Sequence, residues 1–288
     1  MSAGAGGAGG RAVGAAPSAG ASIAARGVSK VFRRGRNEVR ALEAVDFDVA
    51  DGEFVAVLGP SGCGKSTLMR LVGGLVPATT GEIAIAGARV QGPHTDLGIV
   101  FQAATLLDWR TVLGNVLLQV ELRGLDPAAY EMRAKALLEA VGLGEFTGAL
   151  PRELSGGMKQ RAAIVRALVH DPRILLMDEP FGALDALTRE QMRIDLEELW
   201  LSSRKTVMFI THSIDEAVLL ADRVLVMSPR PGRIERIIPI GLPRPRGLEG
   251  RRLEGFAEAS DVITEIFLNR GVLHGARGAF SQNLGSRP

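Results

Sequence analysis

A single cysteine, Cys63, excludes any intrachain disulfide and fits a reducing compartment. No apolar run approaches the roughly 20 residues that a membrane-spanning helix needs. Any role at a membrane therefore requires a separate membrane partner. A net charge of +2 is too small to argue for nucleic acid as a partner. The one local excess, seven Arg against Glu235 and Glu249 between Arg230 and Arg252, reads as a solvated surface segment. The N-terminus lacks the charged, apolar, small-residue order of a signal peptide. Seven Gly and seven Ala among the first 20 positions bury too little apolar surface to offset their ordering entropy. Residues 1–22 are thus expected to form a disordered tail. There is no internal repeat.

Short β-rich runs recur at Phe54–Leu58, Glu82–Ala86, Leu97–Phe101, Ile174–Asp178, Val207–Ile210 and Arg223–Met227. Helical patterns lie between them at Lys65–Gly73, Pro127–Val141, Gly157–His170, Ala186–Ser202 and Ile214–Ala221. This alternation predicts an α/β layered fold with a mainly parallel sheet, spanning residues 23–240. The unbroken apolar run Ile174–Met177 suits a central strand buried on both faces. After Gln102 the strand signal vanishes, which predicts a helical insert over about 103–165. Within it, Asp126 and Pro127 open a helix whose apolar side carries Met132, Leu137, Leu138 and Val141. Residues 241–288 read as a linker through Gly241–Arg246 followed by a C-terminal amphipathic helix, Glu254–Asn269. That helix presents Phe256, Val262, Ile263, Ile266 and Phe267.

Gly59, Pro60, Ser61, Gly62, Cys63, Gly64, Lys65, Ser66 and Thr67 match G-x-x-x-x-G-K-[ST]. They sit between an apolar strand and a helix, the context a phosphate-cradling loop requires. Glycine lets successive N–H groups converge on phosphate oxygens, aided by the positive end of the following helix. Lys65 is placed to reach the β- and γ-phosphates of ATP, Ser66 to offer a hydroxyl to Mg²⁺, and Thr67 to contact the α-phosphate. Cys63 reads as a small residue in a loop whose backbone does the binding, rather than as a redox switch. Downstream, Ile174–Asp178 delivers Asp178 and Glu179 to the carboxyl edge of the sheet. Asp178 suits Mg²⁺ coordination, and Glu179 suits a general base acting on water.

Leu154-Ser-Gly-Gly-Met-Lys-Gln-Arg161 resembles the signature of ABC-type ATPases, and the resemblance runs from Phe32 to His212. It implies an ABC ATPase core with an antiparallel β subdomain and an inserted helical subdomain. It also implies that Ser155, Gly156 and Gly157 face the γ-phosphate of ATP held by a second copy of the chain. Gln102 matches a glutamine that contacts Mg²⁺ and the attacking water. Asp185, in Ala183-Leu-Asp185, matches the loop that crosses the dimer interface. His212 matches the histidine that holds the γ-phosphate, and Phe32 takes the place of an aromatic that stacks on adenine. Ser213 departs from the pattern, since many members carry Asp there.

Leu107-Asp-Trp-Arg-Thr-Val112, with Phe181-Gly-Ala183, is similar to the branch of importers for nitrate, sulfonates and taurine. Trp109 lies either in the core of the helical insert or at a surface that receives a helix of the permease. The resemblance implies an ATPase peripheral to the cytoplasmic face of the membrane. Its partners would be permease subunits and, indirectly, a solute-binding protein. A non-transport ABC ATPase acting on DNA or ribosomes is the alternative, opposed by the single cassette and short insert. A generic phosphate-loop kinase is opposed by the signature at Leu154.

Overall fold

The computed structural model describes residues 21–35 and 37–273. The Gly/Ala-rich stretch up to residue 20 lies outside them. Residues 21 and 22 belong to a strand instead of the tail: Ser22 is buried, and its hydroxyl donates to Asp51 at 2.8 Å.

In chain order the elements are β1 (Ala21–Arg34), β2 (Asn37–Ala50), β3 (Phe54–Leu58), α1 (Lys65–Val72), β4 (Thr80–Ile85), β5 (Ala88–Arg89) and β6 (Leu97–Val100). There follow α2 (Val112–Leu122), α3 (Pro127–Ala140), α4 (Gly156–Leu168), β7 (Ile174–Asp178) and α5 (Ala186–Ser203). The last are β8 (Thr206–Thr211), α6 (Ile214–Leu220), β9 (Arg223–Met227), β10 (Ile234–Pro239) and α7 (Phe256–Asn269).

The central sheet runs β10-β9-β3-β8-β7-β6. From β9 to β6 every pairing is parallel, and β10 closes one edge antiparallel. Strands β3, β7 and β8 bury both faces, which is why they read as nearly unbroken apolar runs. Phe54, Ala56, Leu58, Met177 and Phe209 pack toward α5, α6 and α7, and Val55, Val57, Leu176 and Met208 pack toward α1 and the second sheet. That second sheet, β2-β1-β4-β5, is wholly antiparallel. Its long hairpin β1–β2 carries register shifts at Ala25/Val28, Val28/Lys30 and Lys30/Val31. Each shift interrupts the two-residue alternation that marks a strand in sequence.

Helices α2, α3 and α4 share a separate core around Val112, Val116, Leu138, Leu143 and Val165. It extends to Val169, slightly beyond the expected insert. Within α3 the buried face carries Ala134 and Leu138, continuing to Val141, whereas Met132 is 84% exposed. Met132 falls two residues before Ala134, about 200° around the helix, so it belongs to the opposite side.

The segment 241–246 is not a loose linker, nor is the arginine-rich stretch simply solvated. Glu197, fully buried on α5, accepts from the backbone N–H of Arg246 (2.9 Å) and Gly247 (2.9 Å) and from the Arg244 guanidinium (3.2 Å). Arg244 also pairs with Asp222 at 2.9 Å and lies 4.3 Å from the Trp200 ring. Arg246 is 2% exposed and donates to the Val218 and Ala221 carbonyls. Burial pushes its guanidinium down to about 10, so it stays charged at neutral pH. The unpaired Arg count in sequence conceals this, because the compensating carboxylates sit 22 and 47 residues away. The final helix begins at Phe256 after Gly255, whose φ is 88°. Ile263 and Phe267 anchor it in the main core, with Phe256, Val262 and Ile266 packed beside them.

Candidate functional site

Because β3, β6, β7 and β8 run parallel, their carboxyl ends meet at one edge, where open α/β sheets bind ligands. β3 leads into Gly59, β6 into Gln102, β7 into Glu179 and β8 into His212. Segments spread over more than 150 residues thereby reach one line.

Strand β3 ends at Leu58 and α1 starts at Lys65, leaving Gly59–Gly64 as the turn. Gly64 has φ of 110°, and a Cβ there would stand 2.8 Å from Leu42 Cδ2 and 2.9 Å from the Ala41 carbonyl oxygen. Gly62, also at positive φ, faces open space. Lys65 is 4% exposed; its ammonium is held over the loop by the carbonyls of Gly59 (2.8 Å) and Pro60 (3.1 Å) and lies 3.5 Å from Glu179. Cys63 is buried, which pushes its thiol up. A thiol so placed is poorly reactive, consistent with a packing role. Gly64→Ala is expected to abolish measurable ATP binding, since it strains the backbone and collides with β2 together. Calorimetric titration with ATP checks this; wild-type affinity would contradict it.

Ser66 Oγ donates to Asp178 Oδ1 at 2.9 Å. Burial raises the Asp178 pKa, partly opposed by the Ser66 hydrogen bond. Among the described residues no cluster of three His, Cys, Asp or Glu could hold a metal unaided. An oxygen-only pair of hydroxyl and carboxylate fits a small hard cation that draws its other ligands from phosphate and water.

Glu179 adopts φ of 44°, unusual for a residue with a side chain, and its N–H donates to Ile210 O at 2.9 Å. His212 Nδ1 lies 3.2 Å from Glu179 Oε2. Gly182 closes the turn after Glu179, and a Cβ there would lie 3.5 Å from Gln102 Nε2. Lys65, Ser66, Gln102, Asp178, Glu179 and His212 therefore gather at one site. Ser213 accepts from the Glu216 N–H at 3.3 Å and caps α6. An Asp would cap in the same way, which accounts for the departure noted above.

Among the described residues, no hydrogen bond joins Ser155, Gly156, Gly157 or Asp185 to those six site residues. Ser155 caps α4, accepting from the Met158 N–H at 3.3 Å. Asp185 caps α5 through the Thr188 N–H at 3.0 Å. The two turns adjoin, for a Cβ on Gly157 would sit 2.4 Å from Thr188 Cγ2. Among the described residues no hydrogen bond joins Ser155–Gly157 to Gly59–Thr67. Helix α4, which Ser155 opens, packs on β6, three strand spacings, roughly 14 Å, from β3. Ser155 and Gly156 are exposed, and nothing lies within 4 Å of a Cβ on Gly156.

Phe32 is 43% exposed, with Lys30 Nζ 5.0 Å from its ring centre, so it is not a core phenylalanine. It pairs with Val39, three residues before Leu42, which touches Gly64. Trp109 is 77% exposed, so it does not fill the helical core. The loop around it is shaped by buried Asn115, which bonds Leu107 N and the carbonyls of Leu107, Arg110 and Thr111.

Three contributors to the loop's floor escaped the sequence reading: Ala41, Leu42 and Gly232. Gly232 donates to Ala41 O at 2.9 Å, and a Cβ there would meet Cys63 O at 2.1 Å. No local pattern marks them, because they matter only through contact with the turn.

A strand-to-helix phosphate loop facing a carboxylate pair and a histidine defines a phosphate-loop nucleotide hydrolase. The ABC transporter family model matches residues 42–182. A taurine import ATP-binding protein of Rhizobium johnstonii is 53% identical over 244 residues, 84% of this chain and 92% of that protein. An aliphatic sulfonates import ATP-binding protein of Bacillus cereus is 41% identical over 247 residues, 86% and 96% of the two chains. Among solved structures, a dimeric ATP-binding cassette in a post-hydrolysis state bound to ADP and Pi superposes with a TM-score of 0.66 at 32% identity, covering 76% of this chain and 98% of that one. The chain belongs to the ABC transporter ATP-binding family. It is an ATPase subunit that works with a membrane permease.

Proposed function

We propose that this chain hydrolyses ATP to energise import of a small sulfonate such as taurine, acting as a homodimer on the cytoplasmic face of the membrane. The observation that carries the shared-site reading is the separation of Ser155–Gly157 from the loop Gly59–Thr67 within one chain. Two copies arranged head to tail would place each Ser155 over the partner's loop. The exposed hydroxyl, the open approach at Gly156 and the positive end of α4 all favour a terminal phosphate.

In this arrangement the loop N–H groups cradle the triphosphate, and Lys65 exchanges its backbone carbonyls for β- and γ-oxygens. Ser66 and Asp178, with Gln102, would hold Mg²⁺, which neutralises charge on the phosphate oxygens when bound. Glu179 takes a proton from water as the water oxygen bonds to the γ-phosphorus. The bond from that phosphorus to the β–γ bridging oxygen breaks, giving ADP and phosphate. His212, held against Glu179, donates to a γ-phosphate oxygen, and Phe32 offers a face to adenine. Asp185, beside Gly157, faces the second copy.

The exposed Trp109, on a loop made rigid by Asn115, supports a permease docking face on the helical subdomain. The names of the relatives support a sulfonate as cargo, and a solute-binding protein would deliver it. Reconstituted with permease in liposomes, the ATPase is expected to accelerate when taurine-loaded binding protein is added outside. Stimulation by nitrate but no sulfonate would redirect the substrate. Activity coupled only to ribosomes or DNA would overturn the transport reading.

A further inference from the structure

His212 carries an exposed side chain whose imidazole touches Glu179, yet its placement depends on neighbours buried beneath it. Thr211, the residue before it, is 1% exposed. Its hydroxyl donates to Glu216 Oε2 at 2.5 Å and accepts from the Ser213 N–H at 3.0 Å. One side chain thus fixes the backbone on both sides of His212. Glu216 is 8% exposed, and its other carboxylate oxygen faces Arg189 Nε at 3.8 Å.

Arg189 leads onward to the loop between Glu179 and Asp185. It donates to Phe181 O at 3.3 Å and to Leu184 O at 2.7 Å, and its own N–H bonds Asp185 O at 2.9 Å. A continuous run of contacts therefore connects the Asp185 turn to the backbone of His212. Burial raises the Glu216 pKa, with the Thr211 hydrogen bond and Arg189 opposing it. A carboxylate needed only to start α6 could stay in water and avoid that cost.

We infer that Thr211, Glu216 and Arg189 are positioning residues that hold His212 in register with Glu179 and tie that register to the Asp185 turn. None of the three touches nucleotide; they act through His212. The inference rests on His212 serving the γ-phosphate as proposed above. A shift at the Asp185 turn on association of two copies would then move the histidine. Misplacement of about 1 Å in such a group costs up to about 10²-fold in rate.

The test measures ATP hydrolysis by the full chain for Thr211→Val, Thr211→Ser, His212→Ala and the Thr211→Val/His212→Ala double variant. Val keeps the volume and removes both hydroxyl bonds; Ser restores them. Expected is a fall in kcat of about tenfold or more for Thr211→Val with KM for ATP little changed. Thr211→Ser should recover most of the rate, and Thr211→Val should cost nothing further in the His212→Ala background. Should Thr211→Val not fold, Glu216→Gln, which keeps an acceptor for Thr211 but loses the charge facing Arg189, is expected to give a smaller kcat loss that also vanishes in the His212→Ala background. Wild-type kcat in Thr211→Val, or losses that add in full to His212→Ala, would overturn the inference while leaving the histidine's own role intact. Wild-type turnover by His212→Ala would instead overturn the parent reading of His212.

Discussion

Glu179→Gln is expected to lower ATP turnover by about 10²- to 10⁴-fold, the span that general-base catalysis contributes, while ATP still binds. The substitution preserves shape, so the hydrogen bond to Ile210 O and the strained φ of 44° can persist. What disappears is the carboxylate that lies beside both Lys65 and His212 and that is proposed to take a proton from the attacking water. Affinity should not fall, because removing a negative charge 3.5 Å from Lys65 leaves its ammonium freer to engage phosphate. Single-turnover hydrolysis with radiolabelled ATP, alongside equilibrium binding, separates these effects. Undiminished hydrolysis would mean that another group activates water.

Ser155→Arg is expected to stop hydrolysis almost completely while ATP binding to the isolated chain stays as in wild type. The loss of the α4 cap costs about 1 kcal/mol, too little to unfold a domain of this size. Its effect on catalysis is far larger. Ser155 stands at an exposed helix start with open space at Gly156, and a long side chain there fills the approach that a second copy needs. A cation at the positive end of α4 adds an unfavourable interaction with the helix dipole. Because no hydrogen bond joins Ser155 to its own chain's loop among the described residues, any model with a complete site in one subunit predicts normal turnover. Steady-state hydrolysis and fluorescent-nucleotide binding on one preparation distinguish the two.

The parallel strands were readable in sequence because burial on both faces leaves unbroken apolar runs: β3, β7 and β9 lie at their expected residues. The bulged hairpin β1–β2 was not, since its alternation is broken at each register shift. The antiparallel subdomain was anticipated only through the family resemblance. Helix α2 was not delimited either, because Val112–Leu122 is apolar on most sides although only the face with Val112, Val116, Leu117 and Val120 is buried against α3 and α4.

At the site, the loop, the carboxylate pair and the histidine were legible because each follows a strand, the loop marked by its glycine spacing and the others by side chains that carry their chemistry. The floor built by Ala41, Leu42 and Gly232 was not, nor was the Thr211–Glu216–Arg189 network. Those residues act through contacts between distant segments, which a linear pattern does not encode. The arginine-rich stretch near 244–246 misled for the same reason: Glu197 and Asp222, which neutralise it, lie well before it in the chain.

Light scattering of Glu179→Gln at saturating ATP, compared with the Glu179→Gln/Ser155→Arg double variant, addresses the shared site most directly. The single variant should double in mass when ATP is added, and the double variant should keep the mass of one chain. A Glu179→Gln chain that stays single with ATP bound, or a double variant that pairs as readily, would contradict the account.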